Sequence, residues 1–179
     1  MNFDSYVPAN TQSFVDAAIT KHLFELASSM NSVVEVGSWE GKTTHALLSA
    51  CKGKVYAVDH FNGSNCPTDL TYKLSGKEKF LTCCGWFPNM VLMEMYSNEA
   101  AKLFDDESVD MVFIDAGHLY EEVLDDLRSW YPKVSKVICG HDYSYPSVRQ
   151  ALAEFGIRCT EPVGDYWEHI KNANYNNNK

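Results

Sequence analysis

Asp115 and His118 stand at the end of one β-branched run, "SVDMVFID", and His141 and Asp142 stand at the end of the next, "SKVICG". Two carboxylates and two imidazoles at the ends of consecutive strand candidates can move protons or hold a cation. A histidine titrates near neutral pH and can take a proton from a hydroxyl. A divalent metal achieves the same by lowering the pKa of a hydroxyl that binds it. In a parallel sheet ligands bind beyond the carboxyl ends of the strands, so neighbouring runs would bring all four residues into one cleft. Two carboxylates that close repel each other and call for a counter-charge, a cation or a protonated histidine. Both devices stay open: His118 as general base beside Asp115 and His141, or a divalent metal on Asp115, His141 and Asp142. An imidazole ligand would favour manganese, iron, nickel or zinc over magnesium, which prefers an all-oxygen shell.

A second set lies near the N-terminus in "VVEVGSWEGKTTHALL", residues 33–48. A Walker P-loop needs four residues between its glycines so that successive N–H groups curl around a phosphate, and Gly37 and Gly41 enclose three. A dinucleotide turn fails differently, because Trp39 stands where a second glycine would let a pyrophosphate reach the backbone. The one Tyr-x-x-x-Lys spacing, Tyr175 to Lys179, falls in the polar C-terminal tail and not on an expected helix that could present it to a hydride. What remains is an acid in the first strand, Glu35, a turn with no need to grip pyrophosphate, and Asp59 closing "KVYAVD" 18 residues after Gly41. An acid at that distance accepts hydrogen bonds from ribose hydroxyls. The combination suits a nucleoside with a positively charged side chain and no phosphate.

The elements that must position these residues follow from periodicity. Runs at 32–37, 54–59, 89–95, 108–115 and 135–140 alternate with helix-period segments, the pattern of a doubly wound, mostly parallel sheet with helices on both faces. "YEEVLDDLRSWYPKV" places Tyr120, Val123, Leu124, Leu127, Trp130 and Tyr131 at three- and four-residue steps, and Pro132 ends the helix. In "SVRQALAEFG", Gly156 sits where a left-handed cap belongs. A first helix is expected from about Thr11 to Ser28. "IRCTEP" and "DYWEHIK" are too close for a helical crossover, so a C-terminal antiparallel hairpin is expected, completing seven strands. The expected organisation is one domain over 1–171, with an N-terminal helical segment over 1–30, a candidate lid over 60–88 and a flexible tail over 172–179.

Composition bounds the partners. The chain of 179 residues is 45% hydrophobic and 22% charged, ordinary for one globular domain. A formal net charge of −9 with no clustered basic face argues against nucleic acid. No apolar run approaches the length of a membrane span, and the N-terminus lacks the pattern of a secretory signal, so a cytoplasmic protein is expected. The six cysteines include no C-x-x-C pair, and reduced thiols are expected; Cys66, Cys83 and Cys84 have no zinc-site spacing. Self-association into a homo-oligomer is left open.

"EVGSWEGKTT", "VYAVD", "MVFIDAGHLYEEVLDDLRSW", "VICGHDY" and the closing hairpin, taken in order, resemble the class I S-adenosylmethionine-dependent methyltransferases, in particular the small-molecule O-methyltransferase branch. The resemblance covers roughly residues 30–171 and implies a Rossmann-like fold, S-adenosylmethionine as cofactor and a small-molecule acceptor, such as a sugar, methylated on a hydroxyl. It also implies that Glu35, Gly37, Ser38 and Gly41 line the methionine part of the cofactor. Asp59 would hold the ribose, Ser97 border the adenine, and Asp115 lie between cofactor and acceptor. Metal-dependent relatives carry an acid or amide where this chain has His141, which weakens the case for magnesium. Structural roles compete: Asp115 and Ser97 could cap the helices that follow them, and His118 could be a hydrogen-bonded loop residue. Two rival functions remain, a P-loop-like or NAD-dependent enzyme and a cofactor-binding domain without turnover.

Overall fold

The computed structural model describes residue 3 and residues 10–11, 13–63, 76–160 and 163–171. Strands and helices alternate in the order α1 (Ala17–Ala27), β1 (Ser32–Val36), α2 (Lys42–Ala50), β2 (Lys54–Val58), α3 (Gly76–Cys84), β3 (Met90–Met93), α4 (Ser97–Ala101), β4 (Val109–Ile114), α5 (Tyr120–Trp130), β5 (Val134–Gly140), α6 (Pro146–Phe155) and β6 (Trp167–Ile170). The sheet runs β3-β2-β1-β4-β5-β6. All pairings are parallel except β5 with β6. The chain order reverses between β1 and β4, the position where a doubly wound sheet opens a crevice for ligands.

Alternation along the central strands builds a core on each face. Val33 of β1 with Met111 and Phe113 of β4 joins the layer that contains Ile19, Leu23 and Leu47 from α1 and α2. Val34 and Val36 with Val112 and Ile114 face Leu127, Trp130, Ala151 and Leu152 from α5 and α6. Strands buried on both faces explain why β1 and β4 read as nearly unbroken β-branched runs. No helix among the described residues is long and apolar enough to cross a membrane.

Two expectations are corrected. The first helix begins at Ala17 rather than near Thr11, because the Asp16 carboxylate accepts the N–H of Ile19 at 2.8 Å and fixes the helix start there. Among the described residues the sheet has six strands rather than seven. Gly156 does take the left-handed cap of α6, with φ of 85°. The N–H of Ile157 is then spent on Leu152 O at 3.0 Å, and Thr160 alone bridges to Glu168. Residues 161–162, 64–75 and 172–179, and with them parts of the expected hairpin, lid and tail, lie outside the described residues.

The β5–β6 pair is packed without slack. Trp167 lies opposite Gly140, and a Cβ on Gly140 would meet Trp167 Cζ2 at 2.4 Å and Ile114 O at 2.6 Å. Overpacking of this kind costs about 1–3 kcal/mol, and in a chain of this size each kcal/mol moves the melting midpoint by about 2–4 °C. Gly140→Ala is therefore expected to lower the midpoint by roughly 3–10 °C in a thermal melt; an unchanged midpoint would contradict this packing.

Candidate active site

The residues singled out from the sequence stand one step past the strand ends, where the ladder of backbone hydrogen bonds continues onto them. Gly37 N–H donates to Val58 O at 2.9 Å, Asp59 N–H to Met93 O at 3.2 Å, Asp115 N–H to Val36 O at 2.8 Å and His141 N–H to Ile114 O at 3.1 Å. Each is thus anchored to a neighbouring strand. Together they line a cleft of about 740 Å³ that also reaches Phe14, Trp39, Ser97, His118 and Asp165, within the roughly 300–1,000 Å³ usual for small-ligand pockets.

The glycine turn is held from outside. Gly37 has φ of 91°, and a Cβ there would lie 2.2 Å from Asp115 O. Its side chain is excluded by the β4 backbone rather than by a ligand's path. Trp39, between the two glycines, keeps a left-handed φ of 42°, and its ring stacks on Phe14 with centroids 5.5 Å apart. Asp59 accepts the N–H of Trp39 at 2.8 Å through Oδ2 and that of Phe61 at 2.7 Å through Oδ1. Phe61 is also left-handed, with φ of 54°. From below, α3 supports the turn: Lys79 pairs with buried Glu40 at 2.5 Å, and the Cys84 thiol donates to Gly41 O at 3.2 Å. The 76–84 part of the expected lid is therefore a buttress, with Phe80 and Cys84 fully buried. Trp86 stacks on Phe87 outside the residues that line the cleft.

Glu35 is 1% exposed and accepts a hydrogen bond from Thr44 on α2. Burial pushes its carboxyl up to about 8, against the lowering effect of the Thr44 bond. Ser38 Oγ is also buried in the cleft wall and makes no hydrogen bond of ordinary geometry. That hydroxyl lies close enough to Glu35 to favour its charged form, and it is free in geometry to meet a polar ligand in the cleft. Ser97 is the first residue of α4 and not its N-cap, which is Tyr96. Its hydroxyl donates to Asp126 Oδ1 at 2.5 Å and accepts from Trp130 Nε1 at 2.8 Å, which commits it to the wall.

Past the ends of β4 and β5, Asp115, His118, His141 and Asp142 converge. His141, 7% exposed, places Nδ1 3.4 Å from Asp115 Oδ1 and 3.1 Å from Asp142 Oδ1. Burial disfavours its charged ring, but the bonds to Asp115 and Asp142 outweigh this and raise it to about 10. A protonated histidine thus supplies the counter-charge. Asp142 is pushed up by burial, yet hydrogen bonds from His118 and His141 hold its carboxyl well below the usual carboxylate range. His118 Nδ1 lies 2.7 Å from Asp142 Oδ2, and its ring stacks near Tyr145. Asp115 does not cap α5, whose first free N–H, at Leu119, is met by Glu122 at 3.4 Å. Ligand atoms of Asp115, His141 and Asp142 all lie within 4.8 Å of one another, the one such group among the described residues. Ligands about 2.1 Å from a shared ion stand about 3–4 Å apart, the spacing His141 Nδ1 keeps to both carboxylates, so the donor set would take a divalent cation once that ring gave up its proton.

Sequence reasoning missed several cleft residues, His60, Phe14 and Asp165 among them. His60, which belongs to none of the sequence motifs, lines the cleft and packs on Tyr96 with centroids 4.7 Å apart. Phe14 and Asp165 had no sequence signal, since each reaches the cleft only through the fold.

A doubly wound sheet with its cleft at the β1/β4 switch, an acid within β1 and acids just past β2 and β4 has the Rossmann-like architecture that binds ligands at the strand ends. The family model of the methyltransferase domain matches residues 34–143, so this chain belongs to that family and is an S-adenosylmethionine-dependent enzyme. Its fold is similar to that of the O-methyltransferase NovP, with TM-score 0.70 and 17% identity over 94% of this chain and 86% of that one. It is similar too to cofactor-bound Rv0187 from MTB, with TM-score 0.67 and 17% identity over 90% and 84% of the two chains. An O-methyltransferase from Thermotoga maritima gives 0.62 and 14% over 90% and 67%. No curated protein sequence matches significantly.

Glu35 makes the site's electrostatics measurable. A carboxyl raised in the folded state binds more protons there than when unfolded. Its stabilising contribution is therefore complete below the unfolded value of 4.5 and is lost as pH rises through about 8. Glu35→Gln has no such loss, so its stability relative to the parent protein is expected to increase from pH 5 to pH 9 and then level off. Urea unfolding across that range checks it; a pH-independent difference would contradict the raised value.

Proposed function

We propose that residues 1–171 act as one cytoplasmic methyltransferase domain that moves a methyl group from S-adenosylmethionine to a hydroxyl of a small molecule, a sugar included. The observation that carries the reading is the convergence of Asp115, His118, His141 and Asp142 past the ends of β4 and β5, beside the glycine turn that follows β1. When bound, the cofactor supplies an electrophilic methyl for in-line displacement, and the protein's part is to orient the acceptor and remove its proton. Glu35, Ser38 and the Gly37–Gly41 turn would hold the methionine end, Asp59 the ribose, and the wall at Ser97 the adenine.

His118 is the proton acceptor in this reading. With Nδ1 directed at Asp142, the neutral ring carries its lone pair on Nε2. His141, held protonated, keeps Asp115 and Asp142 together, and Asp115 orients the hydroxyl. The second reading rests on the ligand geometry of Asp115, His141 and Asp142, which would hold a divalent cation that itself acidifies the hydroxyl. Nine acidic side chains line the cleft, while Lys42 is its one lysine or arginine among the described residues. That balance favours an uncharged or cationic acceptor over an anionic one, and it disfavours nucleic acid.

Binding is tested first. Calorimetry is expected to show S-adenosylhomocysteine bound and ATP and NAD ignored. Asp59→Ala is expected to weaken that binding by about 1.5–3 kcal/mol, the range for hydrogen bonds to a charged group, or roughly 10- to 150-fold. Saturable ATP binding without S-adenosylhomocysteine binding would refute the cofactor site.

Turnover separates the two proton routes. With dopamine and 3,4-dihydroxybenzoate as probe acceptors, the amine is expected to react faster than the acid. His118→Ala should cost about 10²- to 10⁴-fold, with EDTA causing little change. Loss of activity to EDTA and its survival in His118→Ala would establish the metal route instead, and activity surviving both treatments would refute each.

A further inference from the structure

Asp142 receives the bonds of both histidines, yet it is a non-glycine residue with φ of 61°. That left-handed backbone costs an L-residue on the order of 1 kcal/mol or more and persists only where its surroundings over-determine it. The restraints come from outside the turn. Tyr143 N–H donates to Asp165 O at 3.2 Å, and Tyr145 N–H closes onto Asp142 O at 3.0 Å. Ser144 N–H donates to Asp165 Oδ1, and the Ser144 hydroxyl donates to Asp165 Oδ2 at 2.9 Å. Arg149 Nη1, on α6, donates to Tyr143 O at 2.8 Å and Ser144 O at 2.6 Å.

Asp165 therefore makes three bonds to the two residues that follow Asp142. Its reach is set by the antiparallel pairing of β6 with β5, which puts Trp167 opposite Gly140 and lets Trp167 Nε1 donate to His141 O at 3.1 Å. A similar device occurs across the cleft, where Asp59 holds the N–H groups of the left-handed residues Trp39 and Phe61.

We propose that Asp165 is a positioning residue for methyl transfer. Through Ser144 it keeps Asp142 in the left-handed conformation from which the carboxylate engages His118 and His141. The inference rests on the proposed role of the Asp142–His118 pair in proton removal. Asp165 touches neither histidine among the contacts of this site and acts only through the turn.

The test uses the full chain and four variants: Asp165→Ala, Asp165→Asn, Ser144→Ala and Asp142→Ala. Long-range ¹H–¹⁵N spectra of the imidazole rings report whether each Nδ1 is hydrogen-bonded, and they need no acceptor. Melting midpoints and S-adenosylhomocysteine affinity serve as controls, and turnover is read with dopamine. Asp165→Ala is expected to lose the hydrogen-bonded Nδ1 signals of His118 and His141 and at least tenfold in kcat, with S-adenosylhomocysteine affinity changed less than twofold. Asp165→Asn, which still offers an oxygen to Ser144 N–H, is expected to restore much of both. Ser144→Ala removes only the hydroxyl arm and should fall between them, which keeps the test alive if Asp165→Ala does not fold. Unchanged ring signals in Asp165→Ala, or, if that variant does not fold, unchanged ring signals with parental kcat in Ser144→Ala, would overturn the proposal. If Asp142→Ala abolishes the ring signals and turnover while the Asp165 variants keep both, the positioning role fails alone. If Asp142→Ala leaves turnover intact, the proton-removal reading fails, and the positioning role for methyl transfer falls with it.

Discussion

Four backbone hydrogen bonds at the carboxyl edge of the sheet carry the rest of the site. Gly37, Asp59, Asp115 and His141 each donate an N–H to the last carbonyl of a neighbouring strand, so these cleft-lining residues are extensions of a rigid ladder. Preorganisation of this kind removes the need to order loops at the moment of binding. It also explains the burial of both faces of β1 and β4, since a ladder can be this rigid only where side chains pin it from two layers.

On that edge the protein tolerates strain and charge that it avoids elsewhere. Among the described residues, three of the four non-glycine residues with positive φ, Trp39, Phe61 and Asp142, line the cleft. Each is held through bonds to an aspartate side chain or to the turn it enters. Charge is managed in two ways. Glu35 is pushed towards its neutral form by burial, whereas Asp142 stays ionised because two imidazoles face it. The two sides of the cleft thus differ in electrostatic state although both are built from carboxylates.

Much of this was legible in the chain. Asp115, His141 and Asp142 could be brought together from sequence because each ends a β-branched run, and strand ends in a parallel sheet share one edge. Glu35 and Asp59 were legible for the same reason. Asp165 was not, because its role depends on β6 lying antiparallel to β5 and thereby reaching Ser144, 21 residues earlier. The Lys79–Glu40 pair spans 39 residues and has no local signature. The seventh strand was over-read because periodicity cannot reveal that the N–H of Ile157 is already used to cap α6.

The separation between the ladder and its surroundings bears on how such a protein can change over generations. The groups assigned to proton removal and to the cofactor sit on strand ends. The cleft's mouth, by contrast, is furnished by residues such as Phe14 before α1 and Tyr145 before α6. Substitutions at the mouth can remodel which molecule fits without disturbing the ladder, so new selectivity is accessible by single steps while the chemistry is inherited intact. Asp142 is the exception, because its backbone depends on a residue from another element. Drift at Asp165 would reach the chemistry from a position that looks, along the chain, like an ordinary turn.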